Sequence, residues 1–169
     1  ATLTVGTGIG NDIDLDAVSG TGGGTASNLT INTTGVVSVA GAVGTDIGAV
    51  TITNSGDTAF ASTVNAATVT ITDTTDGQTV AFQGNLTVTT GMSSAGGGPD
   101  TYNVSITGAS NTIAGTTTFG HDGALTIGND ASDSTNFTAG LTATVPGSVN
   151  VAGTVAASSA ASTISLGDG

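Results

Sequence analysis

Between Ala49 and Val88 one short phrase is written three times: Val50-Thr51-Ile52, Val69-Thr70-Ile71 and Leu86-Thr87-Val88. The copies start 19 and then 17 residues apart, each after a turn of Gly, Asn, Asp, Ser or Thr. An apolar-Thr-apolar triplet is a short β-strand with two side chains on one face and one on the other. A recurrence of this length is one supersecondary unit that buries its apolar face only against its neighbours, so the spacing predicts stacked coils.

The same pattern extends in both directions, in Leu3-Thr4-Val5, Leu29-Thr30-Ile31, Tyr102-Asn103-Val104-Ser105-Ile106, Leu125-Thr126-Ile127 and Ser162-Thr163-Ile164-Ser165-Leu166. A second unit alternates with it, two apolar residues separated by small or polar ones: Val39-Ala40-Gly41-Ala42-Val43, Phe60-Ala61-Ser62-Thr63-Val64, Phe82-Gln83-Gly84-Asn85-Leu86, Phe137-Thr138-Ala139-Gly140-Leu141 and Val151-Ala152-Gly153-Thr154-Val155. Small residues let the backbone bend without a Cβ clash. Two strands joined by such a bend describe a flattened solenoid. The expected fold is all-β, a right-handed parallel β-helix of about eight or nine coils over residues 1–169, since parallel crossovers are nearly always right-handed. At about 4.8 Å per coil the rod would stand roughly 40 Å tall. The run from Gly91 to Thr101, with Gly96-Gly97-Gly98-Pro99, breaks the rhythm and is expected to loop out. The alternative architecture is a β-sandwich fibre subunit that donates its N-terminal strand to the next copy.

Composition supports ordered β-structure. Thr, Gly, Val and Ala dominate, and most strong helix formers are scarce. β-branched residues at regular spacing separate the chain from disordered sequences equally rich in Gly and Ser. Lys, Arg and Glu are absent, all twelve acids are Asp, and the formal charge is −12. A chain with no basic residue has no patch for nucleic acid or an anionic membrane. No apolar run approaches the ~20 residues of a bilayer-spanning helix, so no membrane insertion is expected. Cysteine is absent too. The first residues already read as a strand, as a processed N-terminus or an internal slice would.

Gly84-Asn85-Leu86-Thr87-Val88, Phe82-Gln83-Gly84 and Thr68-Val69-Thr70-Ile71 resemble the repeat units of large secreted bacterial surface proteins of the filamentous-haemagglutinin and β-strand-repeat kind. The resemblance covers most of the chain. It implies a parallel β-helix outside the cell, with a role in adhesion, matrix or fibre formation, and it carries no catalytic residues. The complete lack of Lys and Arg departs from that family and suits a dedicated fibre subunit.

For chemistry, Asp12, Asp14 and Asp16 are the first candidate calcium ligands, because Ca²⁺ takes several carboxylate and carbonyl oxygens. They resemble the start of an EF-hand loop but lack its sixth-position Gly, where Ala17 stands, and its final Glu, where Gly23 stands. Asp130 and Asp133, after Gly128-Asn129, are a weaker echo. The competing reading is a solvated acidic strand face. His121 beside Asp122 is the only imidazole and reads as a surface turn residue. Asp73 and Asp76 have glycosidase-like carboxylates, but nothing nearby would grip a sugar, and no enzyme is expected. A glycan-binding flank would have to use Tyr102, Asn103 and the 91–101 segment. Sequons at Asn28, Asn32, Asn85, Asn103 and Asn136 are weak signs of glycosylation in so Thr-rich a chain. The expected protein is structural and extracellular or on the cell surface. It would form a fibre, sheath or adhesive stalk, with copies associating end to end because open solenoid ends recruit strands.

Overall fold

The computed structural model describes residues 1–7, 10–96 and 101–167. Twenty strands and no helix occur among them. In chain order they are β1 (Thr2–Val5), β2 (Ile13–Leu15), β3 (Val18–Ser19), β4 (Ser27–Asn32), β5 (Val37–Val39), β6 (Val43–Gly44) and β7 (Ile47–Asn54). There follow β8 (Thr58–Phe60), β9 (Val64–Ile71), β10 (Thr79–Phe82), β11 (Leu86–Ser94), β12 (Asn103–Ile106), β13 (Ser110–Ile113) and β14 (Thr116–Phe119). The chain ends with β15 (Ala124–Ile127), β16 (Ser134–Phe137), β17 (Leu141–Ala143), β18 (Ser148–Val151), β19 (Thr154–Ala156) and β20 (Ile164–Leu166).

Pairing sorts these strands into three columns, each visited once per coil. The first side stacks β1, β4, β7, the second half of β9, the second half of β11, β14, β17 and β20. The second side is the seven-stranded sheet β2-β5-β8-β10-β12-β15-β18. The third stacks β3, β6, the first halves of β9 and β11, β13, β16 and β19. Every recorded pair is parallel, and the result is a β-solenoid of about seven turns. The strand-donating sandwich is thereby excluded, because it needs antiparallel facing sheets.

The coil is longer than the sequence spacing suggested, and it has three strands rather than two. Along the first side, Leu29 lies beside Val50, Val50 beside Val69 and Val69 beside Met92, which are steps of 21, 19 and 23 residues. Leu86, seventeen residues after Val69, pairs instead with Val64 on the third side. Strands β9 and β11 run through the corner between two sides without a turn, β9 with two apolar-x-apolar phrases and β11 with Leu86-Thr87-Val88 followed by Met92-Ser93-Ser94. Longer coils mean fewer of them. Met92 also shows that Gly91–Ser94 belong to the first side, in register with Thr68–Ile71 below and Thr116–Phe119 above. The expected insertion therefore does not start at Gly91, and its Gly97–Asp100 part lies outside the described residues.

The interior is built of like-on-like ladders. On the second side Leu15, Val39, Phe60, Phe82, Ile106 and Ile127 stack in register, and the Phe60 and Phe82 rings lie parallel at 5.0 Å. Offset stacking of this kind adds about 0.5–1.5 kcal/mol to the burial itself. Corners are where small residues are required. A Cβ on Gly84 would come within 2.3 Å of the Ser62 backbone in the coil below, and one on Gly41 within 2.4 Å of the Ala17 nitrogen. Four of the five small-residue bends lie where the second side turns into the third; the fifth, after Phe137, joins the third side to the first.

Candidate functional site

Most polar side chains that sequence patterns single out are committed to holding one coil on another. Asp12 Oδ1 accepts from the Val36 amide (2.9 Å), Asp57 Oδ1 from Thr79 (2.6 Å) and Asp76 Oδ1 from Thr101 (3.3 Å), each across to the next coil. Asn28, Asn85 and Asn103 do the same for the amides of Ala49, Ser110 and Ala124. Carboxylates and amides at the corners thus satisfy backbone donors that the ladders leave free.

Asp12, Asp14 and Asp16 are exposed, with Ile13 and Leu15 turned inward between them, as a half-buried strand requires. Alternate residues of one strand lie about 6.6 Å apart, so the three carboxylates are spread along β2. Among the described residues no group of three or more His, Cys, Asp or Glu is gathered to hold an ion.

Asp130 and Asp133 do come together, in the service of their own turn. Asp133 is buried, and its Oδ2 accepts from the amides of Asn129 (2.8 Å) and Asp130 (3.0 Å). Asp130 Oδ1 accepts from the Ser132 amide (2.9 Å) and hydroxyl (2.8 Å). Those bonds, the backbone one foremost, hold the exposed Asp130 carboxyl below the usual carboxylate range. Asp73 likewise caps its own turn through the Thr74 amide at 2.7 Å.

His121 is a core residue, contrary to its polar surroundings in sequence. It is fully buried, stacked on Tyr102 at 5.3 Å and edge-on to Phe119 at 5.9 Å. Its Nδ1 lies 2.8 Å from Ser94 Oγ and its Nε2 3.3 Å from the Ala124 carbonyl. Ser94 Oγ also accepts from the Gly120 amide at 3.1 Å, which leaves its proton for Nδ1. The Ala124 carbonyl can only accept, so Nε2 carries the proton of the neutral ring and Nδ1 accepts from Ser94. Desolvation by burial pushes its pKa below the ordinary value, against smaller upward pulls from the Ala124 carbonyl and Asp122. Tyr102, expected on an exposed flank, is equally buried, with its hydroxyl donating to the Ala95 carbonyl at 2.6 Å. Alternation carried the signal in both places. His121 continues the inward parity of buried Thr117 and Phe119, and Tyr102 shares that of buried Val104 and Ile106.

The third-to-first corner holds a shallow groove of about 230 Å³ lined by Ala26, Asp46, Ile47, Ala66 and Ala67, among others. It is smaller than the ~300–1,000 Å³ of ordinary ligand pockets. Comparison with protein-family models, with curated proteins and with solved structures returns no match.

Proposed function

We propose that this chain is a structural protein of the cell exterior, a rigid solenoid segment of a fibre, sheath or adhesive stalk. The observation that carries the reading is the parallel stacking of strands through about seven turns, in which the shifts of register at Ser27/Asn28, Ile31/Asn32 and Val88/Gly91 are absorbed without breaking the column. A solenoid of this kind is quasi-one-dimensional, so length is added without new kinds of contact. Exposed Leu3 on β1, and Val151 and Leu166 on β18 and β20, give the two ends apolar rims. Open strand edges with apolar rims favour pairing with a second copy, and the proposed assembly is end to end. The charge of −12 keeps the flanks of such rods apart, and calcium at the outward carboxylates of β2 is the proposed counter-ion.

Electron microscopy of the purified chain over a concentration series tests this directly. Rods that lengthen in multiples of roughly 34 Å, seven coil spacings, are the expected result. Particles that stay single at every concentration would overturn the end-to-end assembly.

A further inference from the structure

The first side differs from the other two in what it shows to solvent. Its central outward position is occupied, coil after coil, by Thr4, Thr30, Thr51, Thr70, Ser93, Thr118, Thr142 and Ser165, all in one register. The matching position on the second side runs Asp14, Ser38, Ala59, Ala81, Ser105, Thr126 and Asn150, with no chemical rule. No strand of the first side contains a charged residue, a property it shares with the third side, since Asp14 of β2 is the one carboxylate on a described strand. Two positions earlier, Thr2, Thr68 and Thr116 add a second hydroxyl in the same coils, giving Thr-x-Thr.

None of the eight hydroxyls has a hydrogen-bond partner among the described residues, whereas Ser55, Thr74 and Ser132 elsewhere, and the inward Ser94 beside the row, all do. They form a single row about 34 Å long with one hydroxyl every ~4.8 Å. Threonine χ1 is stiff and the backbone beneath is laddered, so the six threonines of the row are ordered before anything binds, with Ser93 and Ser165 the freer pair. The face measures roughly 34 by 10 Å. That is about half the ~800 Å² per partner that a standard protein interface buries, so a second copy is a poor occupant. Aromatic platforms for sugars are lacking here: the four Phe and Tyr102 are all buried.

What remains is a partner that is uncharged, rigid and periodic, and both donates and accepts at every site. We propose that the first side binds the surface of ice. Each hydroxyl, donor and acceptor at once, holds one water, and the row of waters at strand spacing joins the crystal, whose own repeat is close to that distance. The methyl groups of the six threonines keep other water from competing along most of the row. This inference does not rest on fibre formation, and the two fail separately.

The test uses the full chain, labelled at its N-terminal amine, in dilute buffer from which ice is grown slowly. The fraction incorporated into ice is measured together with inhibition of recrystallisation. Wild type should concentrate in the ice. Thr70→Lys, in the middle of the row, and Thr118→Lys, nearer one end, should each lower incorporation by about tenfold. Ser105→Lys on the second side should leave it unchanged, and melting curves show which variants are folded. Exclusion of the wild type from ice, as for an inert protein of this size, would overturn the proposal. So would equal incorporation of folded row variants, or binding to crystalline cellulose or chitin in place of ice.

Discussion

A neutral imidazole sealed between Tyr102, Phe119 and Ser94 ties stability to pH. The unfolded chain takes up a proton on His121 near its ordinary value of 6.5, while the folded chain resists until lower pH. Stability is therefore complete above about 6.5, falls as pH drops from there to the depressed folded value, and levels off below it. Thermal melts between pH 8 and 5 should show that fall. His121→Phe should be less stable by about 1–3 kcal/mol, because the Ser94 hydroxyl and Ala124 carbonyl lose their partner, and should melt at one temperature throughout that range. A wild type whose melting temperature is flat across it would contradict the assignment. The Asp residues divide in the same way by what they hold. Asp133→Ala leaves two turn amides without an acceptor and should cost about 1–3 kcal/mol by urea unfolding. Asp14→Ala, exposed on β2, should stay within about 0.5 kcal/mol of wild type.

For the strands and the bends between them, the limiting contact is backbone against backbone at the corners. Gly84→Val would drive side-chain atoms into the Ser62 carbonyl below and should destabilise by about 1–3 kcal/mol. Gly24→Ala, with nothing within 4 Å, should be neutral in the same melting experiment. The first side, which carries Leu29-Thr30-Ile31 and Val50-Thr51-Ile52, is legible in the sequence because period two is complete within each strand. The third side is not. Strands such as Val18–Ser19 and Val43–Gly44 are two residues long and carry no alternation to read. In β9 and β11 that side flows into the first without a turn, so two columns look like one, and only in β13, β16 and β19 is it a longer strand of its own. The same local reading misplaced His121 and Tyr102. Gly120 and Asp122 mark a turn, but the side chain between them is set by the ladder in which it stands.

At the level of the whole rod, twelve carboxylates meet no opposing side-chain charge, and folding packs them closer together. Raising sodium chloride from a few millimolar to about 0.5 M should raise the melting temperature by screening that repulsion; no change would mean that the charges are already too far apart to matter. Calcium at matched ionic strength separates screening from binding. A further rise that Asp14→Ala abolishes would assign an ion to β2. All of these effects presuppose coils stacked in one register, and the absence of cysteine makes that register directly measurable. Thr51 faces Thr70, and Thr70 faces Ser93, at one strand spacing, within the 4.4–6.8 Å that a disulfide spans; Thr51 and Ser93 stand two spacings apart, about 9.6 Å. Under mild oxidation the double variants T51C/T70C and T70C/S93C should cross-link within the chain, and T51C/S93C should not. Equal cross-linking of all three pairs, or of the distant pair alone, would contradict the stacked solenoid.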